Sequence, residues 1–188
     1  MEKFKNKSDE ELASLTLRDQ DFLLCLTRRY EAKLLRYILR ISNISQEEAE
    51  DVLQEVFIKV YFNLNSFDPD MKFSSWIYRI THNQVISNFR KIKARVETVG
   101  FDVRDELIEN IAAEFDIKAE IDDQLFRKKI EDFLNKIGSK YRDVLVLHLF
   151  EEKNSQEISD ILKKRIGTVY SLISRGKKIL KKELQKKI

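Results

Sequence analysis

The chain of 188 residues is 43% hydrophobic and 36% charged, enough apolar material for one core or two small ones, with a formal net charge of +3. Four glycines and one proline leave few places where helices must stop and little strand-type turn chemistry, which predicts an all-α fold. The charged opening MEKFKNKSDE excludes a signal peptide and the longest apolar run, Val144 to Phe150, is too short to span a bilayer; the lone Cys25 and the separated His82 and His148 give no disulfide framework, metal site or cofactor, so a cytoplasmic protein without membrane insertion is expected.

Ser8 with Glu11, and Ser45 with Glu48, have the spacing of a capping box and mark two helix entries. Between them Phe22, Leu23, Leu26, Tyr30, Leu34, Tyr37, Ile38 and Ile41 recur at steps of three and four, the core stripe of a long helix. After Ser45 the residues Ala49, Val52, Leu53, Val56, Phe57 and Val60 repeat the pattern, while Glu50, Asp51, Gln54 and Glu55 line up on another face. A charge run of this kind is most often a solvated face. NSFDPD, from Asn65 to Asp70, breaks the helix, and a new one is predicted from Lys72 to Lys93. Phe73, Trp76, Ile77 and Ile80 form its apolar side; Tyr78, Arg79, His82, Asn83, Asn88, Arg90 and Lys91 are distributed around the rest. Rings, amides and cations together are how single-stranded bases are gripped, although a lone tryptophan is by itself usually core. The N-terminal part is thus a bundle of about four helices.

Charge then separates sharply. Val96 to Gln124 holds ten acids against two bases, a net of −8, whereas Arg175 to Ile188 holds seven bases against one acid, a net of +6. Ile108, Ile111, Phe115 and Ile117 hint at transient helix within the acidic segment. Beyond it, SKYRDVLVLHLF from Ser139 reads as a supporting helix. Asn154 with Glu157 caps a short helix burying Ile158, Ile161 and Leu162. A break near Lys163 to Arg165 precedes a second helix that buries Val169, Ile173 and Leu180 and exposes Thr168, Ser171, Ser174, Arg175 and Lys178. The pattern fits a helix-turn-helix, whose second helix enters the major groove, and also fits an ordinary helical hairpin.

Three stretches in register, AEDVLQEVFIKV, FDPDMKFSSWIYRITHNQVISNFRK and YRDVLVLHLFEEKNSQEISDILKKRIGTVYSLISRGKKIL, resemble the two retained regions of an extracytoplasmic-function sigma factor of bacterial RNA polymerase. The resemblance implies a four-helix region 2 domain over 8–94, an acidic linker over 95–121 that threads through the polymerase, and a helix-turn-helix region 4 domain over 122–188. It implies that Asp51, Gln54, Glu55 and Phe57 dock on the clamp of core polymerase. Asn65, Ser66, Phe67 and Asp68 then belong to the loop, running to Met71, that captures a base flipped from the non-template strand; Phe73, Trp76, Tyr78, Arg79, Asn83 and Arg90 to the helix that reads and melts the minus-ten element. Arg165, Thr168, Tyr170, Ser171, Ser174, Arg175 and Lys178 fall to the minus-thirty-five duplex. An anti-sigma factor is the further partner implied; no catalytic residue is.

The chain departs from the family pattern at Lys163 and Glu152, where glycine is common, and at Gly138, where proline is common. Tyr170 and Leu172 stand where the recognition helix often carries bases, which shifts the expected affinity toward phosphate contacts from Arg175, Lys177 and Lys178. Two other classes fit the residues alone: an autonomous helix-turn-helix regulator, and a helical adaptor without a nucleic-acid role. Only the sigma reading gives the Asp51, Gln54 and Glu55 face a necessary partner.

Overall fold

The computed structural model describes residues 7–42, 44–97, 130 and 132–185, with the backbone alone over 92–97. The acidic linker and the start of the C-terminal domain therefore lie largely outside the described residues, as do Lys186 and Lys187. Helices and turns account for the described residues, without a strand among them. The chain divides into two compact units, the first made of Met1–Arg95 with the short piece Asp160–Leu162.

In the N-terminal unit α1 (Asp9–Thr16), α2 (Asp21–Ile41), α3 (Gln46–Asn63) and α4 (Phe73–Glu97) are joined by short turns, with a 3-10 turn at Leu64–Ser66. Both expected capping boxes form: Ser8 Oγ accepts from the Glu11 amide at 3.1 Å and Glu11 returns the bond at 2.8 Å, and Ser45 and Glu48 do the same at 3.2 and 2.9 Å. A break between α1 and α2 was not apparent in the apolar pattern. It is made locally, by Arg18 and Asp19 amides turning back onto the Leu15 carbonyl and by Asp19 Oδ1 accepting from the Asp21 amide at 3.0 Å. The α2 stripe becomes the centre of the core: Leu26, Tyr30, Leu34, Tyr37, Ile38 and Ile41 are buried, against Ala49, Val52, Val56 and Val60 of α3 and the inner side of α4. Each fully buried aliphatic side chain contributes roughly 1.5–3 kcal/mol relative to exposure.

The C-terminal unit contains α5 (Ser139–Leu149), α6 (Ser155–Leu162) and α7 (Ile166–Gln185). The apolar run of α5 is buried on nearly every side, from Val144 to Leu147. It packs on α7 at Gly176, where a Cβ would stand 3.0 Å from the Leu145 side chain, so glycine there permits the close approach. Asn154 caps α6 through the expected box, its Oδ1 accepting from the Glu157 amide at 2.9 Å. The two positions where glycine was missing adopt the left-handed conformation regardless, with φ of 52° at both Glu152 and Lys163. At Lys163 the turn is stitched by the Lys164 amide donating to the Ser159 carbonyl at 3.2 Å and by Ser159 Oγ donating to the Lys164 carbonyl at 2.6 Å.

Candidate polymerase and nucleic-acid interface

On α3, Asp51, Gln54 and Glu55 are exposed and one helical turn apart, on the side away from Val52, Val56 and Val60. Glu55 is not a free tip: its Oε2 accepts from Gln84 Nε2 of α4, and Gln84 is only 2% exposed. A buried amide thus fixes one carboxylate of the face. Phe57 is half-buried and, at about 100° per residue, lies well to the side of this face. The face instead continues through Ile58 and Phe62, the latter 73% exposed, with Tyr61 beside them edge-on to Phe62 at 5.3 Å. Ile58 and Phe62 were missed in the sequence reading. Their signal was available, since they fall four and eight residues after Gln54 and off the core stripe.

Below α3 the loop is held by its own polar groups. Ser66 Oγ donates to the Asn63 carbonyl at 2.7 Å, Asp68 Oδ1 accepts from the Asp70 amide at 3.0 Å, and the Met71 amide donates to the Asp68 carbonyl at 3.0 Å. Asn65, Ser66 and Asp68 are exposed, while Phe67 is half-buried, its ring 5.4 Å from both Phe73 and Trp76.

The expectation that Phe73, Trp76 and Tyr78 meet DNA directly is revised by their burial, at 0, 3 and 2% exposure. Phe73 and Trp76 lie against each other at 5.6 Å, Phe73 against Tyr30 at 5.6 Å, and Tyr78 against Tyr37 at 5.1 Å, so these rings are core of the unit. Arg79, Asn83 and Arg90 remain on the outer side, half-buried, exposed and exposed respectively. Steps of four and seven put them in one row, and the eleven residue steps from Arg79 to Arg90 make it roughly 16 Å long. It is a short polar and cationic track beginning about two turns beyond the loop.

In the C-terminal unit Arg165, Thr168, Ser171, Ser174 and Arg175 are exposed and Lys178 half-buried; Thr168, Ser171, Arg175 and Lys178 lie opposite the buried Val169, Ile173, Gly176 and Leu180. Tyr170, 59% exposed, sits at the edge of this face. Ser171 Oγ donates to the Thr168 carbonyl at 2.8 Å, so toward a partner it presents an acceptor. Behind this surface Asp143 of α5 is buried, and desolvation pushes its carboxyl up to about 6 against the opposing pull of Arg142 and Lys164. Among the described residues no three His, Cys, Asp or Glu side chains are grouped as a metal would need, and no helix is long and apolar enough to cross a membrane.

The Sigma-70 region 2 family matches residues 26–95, which hold α3, the loop and the described part of the α4 track; the Sigma-70 region 4 family matches residues 127–180. The ECF RNA polymerase sigma factor SigW of Bacillus subtilis is 34% identical over 175 residues, covering 89% of this chain and 91% of its own. The chain belongs to the extracytoplasmic-function sigma factors. The RNA polymerase sigma-H factor of Pseudomonas aeruginosa is similar to this sigma factor at 29% identity over 167 residues, 85% of this chain and 84% of that one. Two solved structures share the fold: CnrH in complex with the cytosolic domain of CnrY, with TM-score 0.68, 22% identity and coverage of 95% of this chain and 98% of that one, and RpoE in complex with the anti-sigma factor NepR from Bartonella quintana, with TM-score 0.63, 24% identity and coverage of 90% and 98%. The protein is therefore an RNA polymerase sigma factor, a transcription initiation factor, with α1 lying ahead of the region 2 match.

Proposed function

We propose that this sigma factor docks on core polymerase through Asp51, Gln54 and Glu55 of α3, with Phe57 at the margin and Ile58 and Phe62 extending the contact. The loop from Asn65 to Met71 receives the flipped base of the minus-ten element, and Arg79, Asn83 and Arg90 follow the melted strand. Arg165, Thr168, Ser171, Ser174, Arg175 and Lys178, with Tyr170 at the edge, address the minus-thirty-five duplex. Residues 8–94 and 122–188 are the two DNA-reading domains and 95–121 their acidic connection. The chain directs initiation without covalent chemistry of its own. An anti-sigma partner that covers these surfaces is part of the proposal, supported by the structural neighbour RpoE having been solved in complex with the anti-sigma factor NepR.

The observation that carries the docking assignment is the exposed α3 face with Glu55 held by the buried Gln84. Pre-organising a carboxylate at the surface lowers the ordering cost of meeting a cationic partner. Joining two modest DNA readers raises the effective concentration of each at the correct spacing, which one helix-turn-helix without a dimer partner lacks. The test is transcription in vitro with purified core polymerase on a fragment from upstream of the chain's own gene. A discrete start site that depends on the protein, and is lost with Asp51→Lys or Glu55→Lys, is the expected result. Tight duplex binding without polymerase, unaffected by those substitutions, would favour an autonomous helix-turn-helix regulator instead.

A further inference from the structure

Helix α4 starts at Phe73 directly after the loop, and the residue before it is Lys72, whose side chain has no acceptor to offer the orphan amides of the first turn. The acceptor arrives from another helix. Glu10 Oε1 of α1 takes the Phe73 backbone N–H at 2.9 Å, across a separation of 63 residues. Its carboxylate also faces the positive end of the α4 dipole.

α1 is in turn pinned to α2. Asp9 Oδ1 accepts from Arg29 Nη1 at 2.6 Å, Asp9 Oδ2 accepts from the Tyr30 hydroxyl, and Arg29 Nη1 also donates to the Lys7 carbonyl at 2.9 Å. Burial first, and the bond to Asp9 second, hold the Tyr30 hydroxyl well above its ordinary pKa, so it remains a donor. The same Tyr30 ring stands edge-on to Phe73, and Phe73 stands edge-on to Phe67 of the loop at 5.4 Å. A continuous path of contacts runs from α1 through the first residue of α4 to the loop.

We propose that Glu10 is a positioning residue for promoter opening: it fixes the start of α4 and, through Phe73 and Phe67, the loop that receives the flipped base. This rests on the assignment of that loop and α4 to the minus-ten element. α1, although outside the matched region 2, then acts as a brace for strand capture and not merely as an extra helix on the bundle.

The experiment uses the full chain in holoenzyme on a promoter that the wild type transcribes, with Glu10→Ala and Glu10→Gln. Permanganate reactivity of minus-ten thymines reads opening, and titration onto core polymerase reads docking in the same preparations. Glu10→Ala should reduce the opening equilibrium about ten-fold, the weight of one charge-assisted hydrogen bond, with core affinity unchanged. Glu10→Gln, whose amide oxygen still accepts, should retain most of the opening. Wild-type opening by Glu10→Ala would overturn the proposal, as would equal losses of opening and core affinity, which mark a general loss of fold, or equal damage by both variants. If the wild-type holoenzyme initiates while its minus-ten thymines stay unreactive, the assignment of the loop fails and the brace with it.

Discussion

Replacing Lys163 by glycine should stabilise the C-terminal unit. Lys163 closes α6 at φ 52° and ψ 41°, a left-handed conformation in which Cβ crowds the following carbonyl at a cost of about 1–2 kcal/mol. Glycine removes that crowding but brings extra freedom to the unfolded chain, which takes back roughly 0.5–1 kcal/mol. The side chain is exposed, so no packing is lost, and the backbone bonds to Ser159 need no Lys163 side chain. The net expectation is a gain of about 1 kcal/mol, or about 4–8 °C in midpoint for a unit of this size. The only tryptophan, Trp76, is buried in the N-terminal unit, so its fluorescence reports that unit while far-ultraviolet dichroism follows both. Lys163→Gly should raise the dichroism transition that is silent to fluorescence and leave the Trp76 transition in place. Lys163→Ala, which keeps the Cβ, should not. An unchanged or lowered midpoint for glycine, or an equal gain with alanine, would refute the reasoning.

Other substitutions separate packing from contact. Trp76→Ala should destabilise the N-terminal unit by about 3–5 kcal/mol, seen in urea unfolding by dichroism, because the ring is core; stability within 1 kcal/mol of wild type with lost DNA opening would restore it as a contact residue. Asp143 has a folded pKa of about 6 against an ordinary 3.8, so the native state holds the proton more tightly. The stability this gives is present below about pH 4 and is lost as pH rises toward 6; Asp143→Asn should abolish that slope and gain up to about 3 kcal/mol at pH 7, measured by unfolding the C-terminal unit across this range. Phe62→Ser, at a side chain 73% exposed, should leave the melting curve unchanged and weaken core polymerase binding about ten-fold in a titration, the scale of an interface anchor.

Much of the fold was legible because its determinants are local. The boxes at Ser8, Ser45 and Asn154 need only a hydroxyl or amide and a carboxylate three residues apart, and the stripe from Leu26 to Ile41 needs only one helical period. At Lys163, where glycine is common in the family, the sequence left open a less favourable turn conformation or a shifted turn; the lysine takes the left-handed one. The α1 to α2 break was not legible, because Leu17 to Gln20 contain neither glycine nor proline and the turn depends on carbonyl and carboxylate geometry. The helical period put Phe73 and Trp76 on the apolar side of α4 but set Tyr78 apart from it, and Tyr78 is buried as well. Phe73, Trp76 and Tyr78 have the chemistry of base stacking, and the positions of Tyr30, Phe67 and Tyr37 show that packing takes their rings. The Glu55 to Gln84 and Glu10 to Phe73 contacts join residues far apart in sequence, which no periodicity announces.

The central claim is that the α3 face joins this chain to RNA polymerase, and a titration of the labelled full chain onto purified core polymerase tests it most directly. Wild type and Arg175→Ala should bind alike, since Arg175 lies on the helix proposed to meet DNA, whereas Asp51→Lys, with an unaltered melting curve, and Glu55→Lys, which also leaves the buried Gln84 amide without its acceptor, should lose binding by an order of magnitude or more. Equal binding by all four proteins, or no binding by the wild type, would contradict the account.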